Sequence, residues 1–268
     1  MKSLRPSTVA RSFELPPRLS LPAAFSEQLS NLYTVVQQSQ YVFGSPLGPI
    51  KFGQRDFHLP RFVYFGPHAS DAALRLSFMA GFAHGDLRPT LALLRLIEQI
   101  ALKPDLGQGL NLSFFPLVDV LGLAHVMPDR ALGDQRWSRS SDPEIELLEK
   151  DARLRGYHGF IRLESTSAED TVTIRLRGPE PDENATPALE LISSGETDPF
   201  AVRWESDATP HSEHGPLSIA DDLPLRPFEL TVRIPAAWPL DLFAQAAASI
   251  LKRFVFRHRG FISYGQHL

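Results

Sequence analysis

The chain has 268 residues, of which 43% are hydrophobic and 22% charged, with a formal net charge of −4 and no cysteine. That composition is ordinary for a globular protein and excludes disulfides, thiolate metal sites and cysteine nucleophiles. The acidic balance argues against nucleic-acid and anionic-membrane partners. No apolar stretch reaches the length of a membrane span, and the amino-terminal 25 residues lack the continuous apolar core of a secretory leader, so a cytoplasmic protein is expected.

Residues 1–20, with Pro16 and Pro17 and little periodicity, are expected to be poorly structured. In "PAAFSEQLSNLYTVVQQ", Phe25, Leu29, Leu32 and Val36 recur at three and four residues, which predicts an amphipathic helix. "RFVYFGP" and "LRLSFMAG" are short apolar runs closed by turn signals and predict strands. A loop with His84, Gly85 and Asp86 follows, then "RPTLALLRLIEQIAL", a buried helix opening near Pro89. "LNLSFFPLVD" predicts the next strand. "SDPEIELLEKDARLRGY" predicts a helix with Asp142 as N-cap, Pro143 in the first position and Glu144 and Glu146 in the first turn.

"GFIRLES" predicts a strand, and the alternating "DTVTIRLRG" a further strand outside the main sheet. From Pro179 to Pro187 and from Ser206 to Pro216, acidic residues, Pro and Gly predict surface loops. "FELTVRIP" predicts a late strand, and "PLDLFAQAAASILKRFVF" a last helix with Leu242, Phe243, Ala246, Ala247 and Ile250 on one face. Strands alternating with helices, with no repeat and no clean linker, predict one domain over residues 1–268. Its class is α/β, a three-layer sandwich with a mixed, mostly parallel central sheet.

The common short motifs of chemistry are absent. There is no phosphate-cradling Gly-Lys-Ser/Thr loop, no Gly-x-Ser-x-Gly elbow and no His-Glu-x-x-His, and "GQGLNL" has only two of the three glycines of a dinucleotide fingerprint. The histidines remain as a lead for a metal. His84 stands on a strand-to-helix loop, where open α/β sheets place their chemistry. His211 and His214 flank Glu213 among prolines and read as an exposed loop. The basic, aromatic "LKRFVFRHRGFISYG" reads as a helix end whose cations suit the helix dipole.

Taken in order, these pieces resemble the zinc carboxypeptidase family and its desuccinylase and aspartoacylase relatives. "AGFAHGDLRPTLALLRLIE" is similar to that family's first metal motif. "FFPLVDVLGLA" is similar to its next strand and Asn-Pro-Asp-Gly turn, and "LGDQRWSRSSDPEIELLE" to its Asn-Arg segment and following helix. "GFIRLES" resembles the strand carrying the last zinc ligand, and "LTVRIP" the strand carrying the catalytic glutamate. The match runs over about residues 60–255. It implies a carboxypeptidase-like (phosphorylase/hydrolase-like) fold.

The resemblance also implies a site, and the departures from it imply that the site has degenerated. His84 matches the first ligand, whereas the Glu ligand position is Leu87 and the later His position is Glu164. The catalytic Glu position falls on Arg233. The Asn of the carboxylate-holding pair is Gln135, with Arg136 kept and Arg130 nearby, so these three are the implied substrate-binding residues. The turn survives only as Asp119, Val120, Leu121 and Gly122. A catalytic zinc needs three protein ligands and an open water position. Leucine cannot ligate, and arginine cannot act as a base at neutral pH, so Leu87 and Arg233 would disrupt the site.

A mixed site of His84, Asp86 and Glu164 is the metal alternative, with Asp86 better suited to orienting a ligand than to binding. A salt bridge between Arg233 and Glu164 is the other. Glu229, four residues before Arg233 on the same strand face, would restore a base if it rather than Arg233 stood at the family position. The expectation is therefore a pseudoenzyme binding a peptide or small carboxylate in the ancestral pocket, without a cofactor, nucleic acid or membrane. The alternatives are a metal-dependent carboxypeptidase or amidohydrolase that uses zinc through altered ligands, and a structural protein with a filled pocket.

Overall fold

A computed structural model of the chain describes residues 23–69, 73–128, 132, 140–168, 170–177, 200–206 and 227–265. The segment expected to be poorly structured, the two acidic loops except for Ser206, which ends a strand, His211 and His214, and the implied substrate-binding residues Arg130, Gln135 and Arg136 lie outside the described residues.

The first helix, α1 (Ala23–Gln38), forms where the three-and-four spacing predicts it. Phe25, Leu29, Leu32 and Val36 are all buried. Four strands follow: β1 (Val42–Gly44), β2 (Leu47–Phe52), β3 (Arg55–Leu59) and β4 (Phe62–Phe65). β2 and β3 form a separate antiparallel hairpin that the sequence pattern did not disclose. Next come β5 (Leu74–Met79), α2 (Arg88–Leu102) and β6 (Leu110–Phe115), then the short α3 (Val120–Leu123) and α4 (Pro143–Arg155). β7 (Gly159–Thr166), β8 (Val172–Arg177), β9 (Val202–Ser206), β10 (Phe228–Pro235) and α5 (Leu240–Gly265) complete the order.

Eight strands make one sheet in the order β1-β4-β6-β5-β7-β10-β8-β9. The central run β6-β5-β7-β10 is parallel. β1, β4 and β8 join antiparallel, and β9 pairs parallel with β8. The expected mixed, mostly parallel sheet is the one observed.

β8 corrects one expectation, because it lies inside this sheet and not apart from it. Its alternation explains the place. Val172 and Ile174 enter the apolar core on one face, while Thr173 and Arg175 face the other way.

Two apolar layers sandwich the sheet. The larger core joins α1, α2 and α5 to Leu76, Phe78, Leu112, Phe114, Ile161, Leu230 and Val232. The second joins the hairpin, α3 and α4 to Met79, Phe82, Phe115 and Phe160 on the opposite face. Among the described residues, none of this second cluster comes from β10, β8 or β9. α5 buries Phe243, Ala246, Ala247 and Ile250 as expected, but Leu242 is 36% exposed and lies off the buried face.

Helix starts and stops follow local chemistry. Pro143 opens α4, and Gly156 closes it in the left-handed region at φ 57°. Asp142 stands at the N-cap without a side-chain capping bond; its carboxylate accepts from the Ser140 hydroxyl at 3.1 Å. Glu144 is no dipole-complementing surface acid either. It is fully buried and accepts the Leu121 N–H at 3.0 Å, clamping α3 to α4.

Candidate functional site at the carboxyl ends of the parallel strands

The loop of residues 81–87 leaves the carboxyl end of β5 through Gly81, at φ 70°. A side chain there is excluded by space as well as by conformation. A Cβ would stand 2.6 Å from Thr90 Oγ1 and 2.9 Å from Leu117 Cα. The glycine lets the chain turn against α2 and the β6–α3 turn.

That turn holds His84. Asp119, fully buried at the start of α3, accepts the Gly122 N–H at 3.0 Å on Oδ1. Its Oδ2 accepts the His84 N–H at 3.3 Å and lies 2.7 Å from His84 Nδ1. A carboxylate only accepts, so Nδ1 carries a proton toward Asp119, and Nε2 is the ring nitrogen outside the pair. The turn that begins at Asp119 thus orients the histidine.

Asp86 is directed elsewhere. Leu87 stands at the N-cap of α2 and has no side chain able to cap it. Asp86 Oδ1 takes the Arg88 N–H at 3.1 Å and Arg88 Nε at 2.8 Å, while Oδ2 takes Arg88 Nη2 at 3.1 Å and the Ser165 hydroxyl. Burial pushes the Asp86 carboxyl up, but the hydrogen bonds from Arg88 and Ser165 outweigh it and hold it below the usual carboxylate range. The Asp86–Ser165 bond ties this loop to the end of β7.

On β7 and β10 the register decides which side chains meet. Arg233 is the partner of Glu164, and Glu229 is the partner of Phe160. Arg233 Nε donates to Glu164 Oε2 at 3.2 Å. Glu229 stands four residues back toward the amino end of β10, about 13 Å along the strand, and is buried. Arg233, not Glu229, is therefore the residue beside Glu164. On its other oxygen Glu164 engages Arg162, whose buried guanidinium lies over the Phe82 ring at 4.2 Å. The row Phe82, Arg162, Glu164, Arg233 crosses the sheet face between the second apolar cluster and solvent.

These partners decide how well the donors suit zinc. His84 is oriented but stands on its own loop. Asp86 is saturated by Arg88 and Ser165, and Glu164 lies between two guanidiniums that would repel a cation. Among the described residues no three His, Cys, Asp or Glu side chains gather into a group able to hold a metal. The donor set does not fit a three-ligand zinc site.

Sequence reading did not single out Arg162, Arg88 or Ser165. The Asp-x-Arg spacing of Asp86 and Arg88 and the Arg-x-Glu spacing of Arg162 and Glu164 on β7 are visible signals. Ser165 acts on a loop 79 residues before it, where sequence gives none.

No protein-family model and no curated protein sequence matches the chain. Solved structures do. A metallo-carboxypeptidase from Burkholderia cenocepacia superposes with a TM-score of 0.67 at 14% identity, over 88% of this chain and 69% of that one. A candidate metallopeptidase from Shewanella baltica gives 0.60 at 16%, over 86% and 90%. A metallo-carboxypeptidase from Pseudomonas aeruginosa, in complex with (2-guanidinoethylmercapto)succinic acid, gives 0.57 at 15%, over 86% and 68%. The chain has the zinc carboxypeptidase-like fold, an α/β sandwich about a mixed central sheet.

Proposed function

We propose that the protein is a non-hydrolytic member of this fold, a cytoplasmic pseudoenzyme that binds a peptide or small carboxylate at the carboxyl ends of the parallel strands. One observation carries the reading: Glu164 lies between Arg162 and Arg233, where a cation would be repelled and an anionic ligand attracted. The register supports it, since a guanidinium cannot take a proton from water at neutral pH and stands where the resemblance calls for a base. The Pseudomonas aeruginosa neighbour, which holds a succinic acid derivative, supports carboxylate chemistry for the pocket. Among the described residues no helix is long and apolar enough to cross a membrane.

A second reading, a metal-dependent hydrolase with altered ligands, is favoured by the His84–Asp119 pair, because a carboxylate of this kind orients ligating histidines. Elemental analysis separates the two. The purified protein is expected to hold zinc far below one equivalent, unchanged in His84→Ala. Stoichiometric zinc that is lost in His84→Ala would overturn the pseudoenzyme reading in favour of the hydrolase.

A further inference from the structure

We infer that Arg233 is the receptor for the ligand's carboxylate and that Glu164 is its positioning residue; this rests on the binding reading above and names its chemistry. The geometry has three parts. Arg233 Nε is turned inward to Glu164 Oε2, which fixes the plane of the guanidinium. Among the described residues its terminal Nη1 and Nη2 donate to no protein group, and the side chain is 37% exposed. The guanidinium stands at the same carboxyl ends of β7 and β10 where, on the opposite face of the sheet, the Asp86–Ser165 bond joins the His84 loop.

An arginine held at Nε presents its outer edge as a two-pronged fork, the shape that a planar carboxylate accepts in two parallel hydrogen bonds. Glu164 does not cancel that fork. Its second oxygen is engaged by Arg162, which is itself immobilised in the core against Phe82. The rigidity matters because less side-chain freedom remains to be lost when a ligand binds. A single fork on a chain of net charge −4 suits one carboxylate and not a polyanion. Arg233, which the resemblance marks only as the residue that removes a base, thereby becomes the residue that holds a ligand.

The test uses the full chain, titrated calorimetrically with acetyl-trialanine bearing a free C-terminus, with its C-terminal amide, and with succinate. The free acid is expected to bind and the amide not. Arg233→Ala is expected to weaken binding about tenfold or more, with Arg233→Lys recovering only part, since an ammonium is a point charge and no fork. Glu164→Gln is expected to weaken binding less than Arg233→Ala and to shrink the difference between arginine and lysine at 233. Binding of succinate alone through Arg233 also supports the receptor and identifies a small carboxylate as its source.

Circular dichroism of Arg233→Ala and Arg233→Gln checks folding, and a folded variant that binds as tightly as wild type overturns the inference. If binding is then lost in Arg136→Ala, the inference falls and the binding reading survives. If neither acid binds the wild-type chain, both fall.

Discussion

Arg233 and Glu164 are register partners on adjacent parallel strands, and their side chains meet there, Nε to Oε2 at 3.2 Å. The two ends of this contact are unequal. Arg233 is more than a third exposed, whereas Glu164 is 20% exposed and also engages buried Arg162. Exposed ion pairs contribute about 0–1 kcal/mol, whereas removing one partner of a buried one costs about 3 kcal/mol or more. Chemical denaturation should therefore show Arg233→Gln within about 1 kcal/mol of wild type and Glu164→Gln destabilised by about 2 kcal/mol. Equal losses would mean that Arg162 does not depend on Glu164.

Asp119 should be one of the costliest polar positions near the loop. It is fully buried and accepts three N–H groups, two of them from His84. Asp119→Ala should destabilise by about 2–4 kcal/mol, because buried donors lose a charged acceptor. The imidazole resonances of His84 should shift in the same variant, while those of His158 stay in place. An unmoved His84 signal would show that the pair does not orient the ring.

A second buried cluster should govern stability without touching the site. Asp151 holds Arg61, accepts Arg155 Nε at 3.1 Å and accepts the Tyr157 hydroxyl at 2.7 Å. Burial, and next the Asp151 charge, push the Tyr157 phenol far above its ordinary range. Arg61 precedes β4 and Asp151 lies on α4, so the cluster ties the hairpin end to that helix. Asp151→Asn should cost about 3–5 kcal/mol by leaving a buried guanidinium without its carboxylate, with carboxylate binding unchanged. A loss under about 1 kcal/mol would show that the cluster is held by packing alone.

Gly81→Ala tests the loop exit. Left-handed backbone costs a non-glycine residue about 1 kcal/mol, and the clash with Thr90 and Leu117 adds to it. A drop of several degrees in Tm is expected, together with weaker carboxylate binding, because the loop carries both His84 and Asp86. Wild-type Tm and affinity in this variant would show that the turn has room to relax.

Acid should act early through His158. Burial, then the charge of Arg75, lower its pKa from the ordinary 6.5, and its neutral Nδ1 accepts the Arg75 N–H at 3.0 Å. The unfolded chain therefore binds this proton more readily, so the contribution is complete above about pH 6.5 and is lost as pH falls through that value toward the depressed one. In His158→Asn, whose amide oxygen can accept the same N–H, the Tm difference between pH 7.5 and 5.5 should shrink. An unchanged difference would assign the pH dependence to other groups.

Much of this molecule is legible without coordinates, for a local reason. α1, α2, α4 and α5, and the strands β4, β5, β6, β7 and β10, declare themselves because each buries a stripe whose period is set by its own backbone. The loop that carries His84 and Asp86 is legible too, since a strand, a glycine and a helix start are all local signals. The hairpin β2–β3, the three-residue β1 and β9 were missed. Their few apolar residues, such as Ile50, Phe57 and Val42, are buried by distant elements and show no period of their own.

Sequence by itself determined the fold class and which residue types stand at each position of the site, including the leucine at 87 and the arginine at 233. The tertiary structure decided which of them meet. Pairing of β10 with β7 sets Arg233 against Glu164 and leaves Glu229 against Phe160. The loop after β5 brings Asp86 to Ser165, and Arg162 meets Glu164 two residues along β7 itself. Strand register is a non-local property, and a shift of one residue between β7 and β10 would part Arg233 from Glu164.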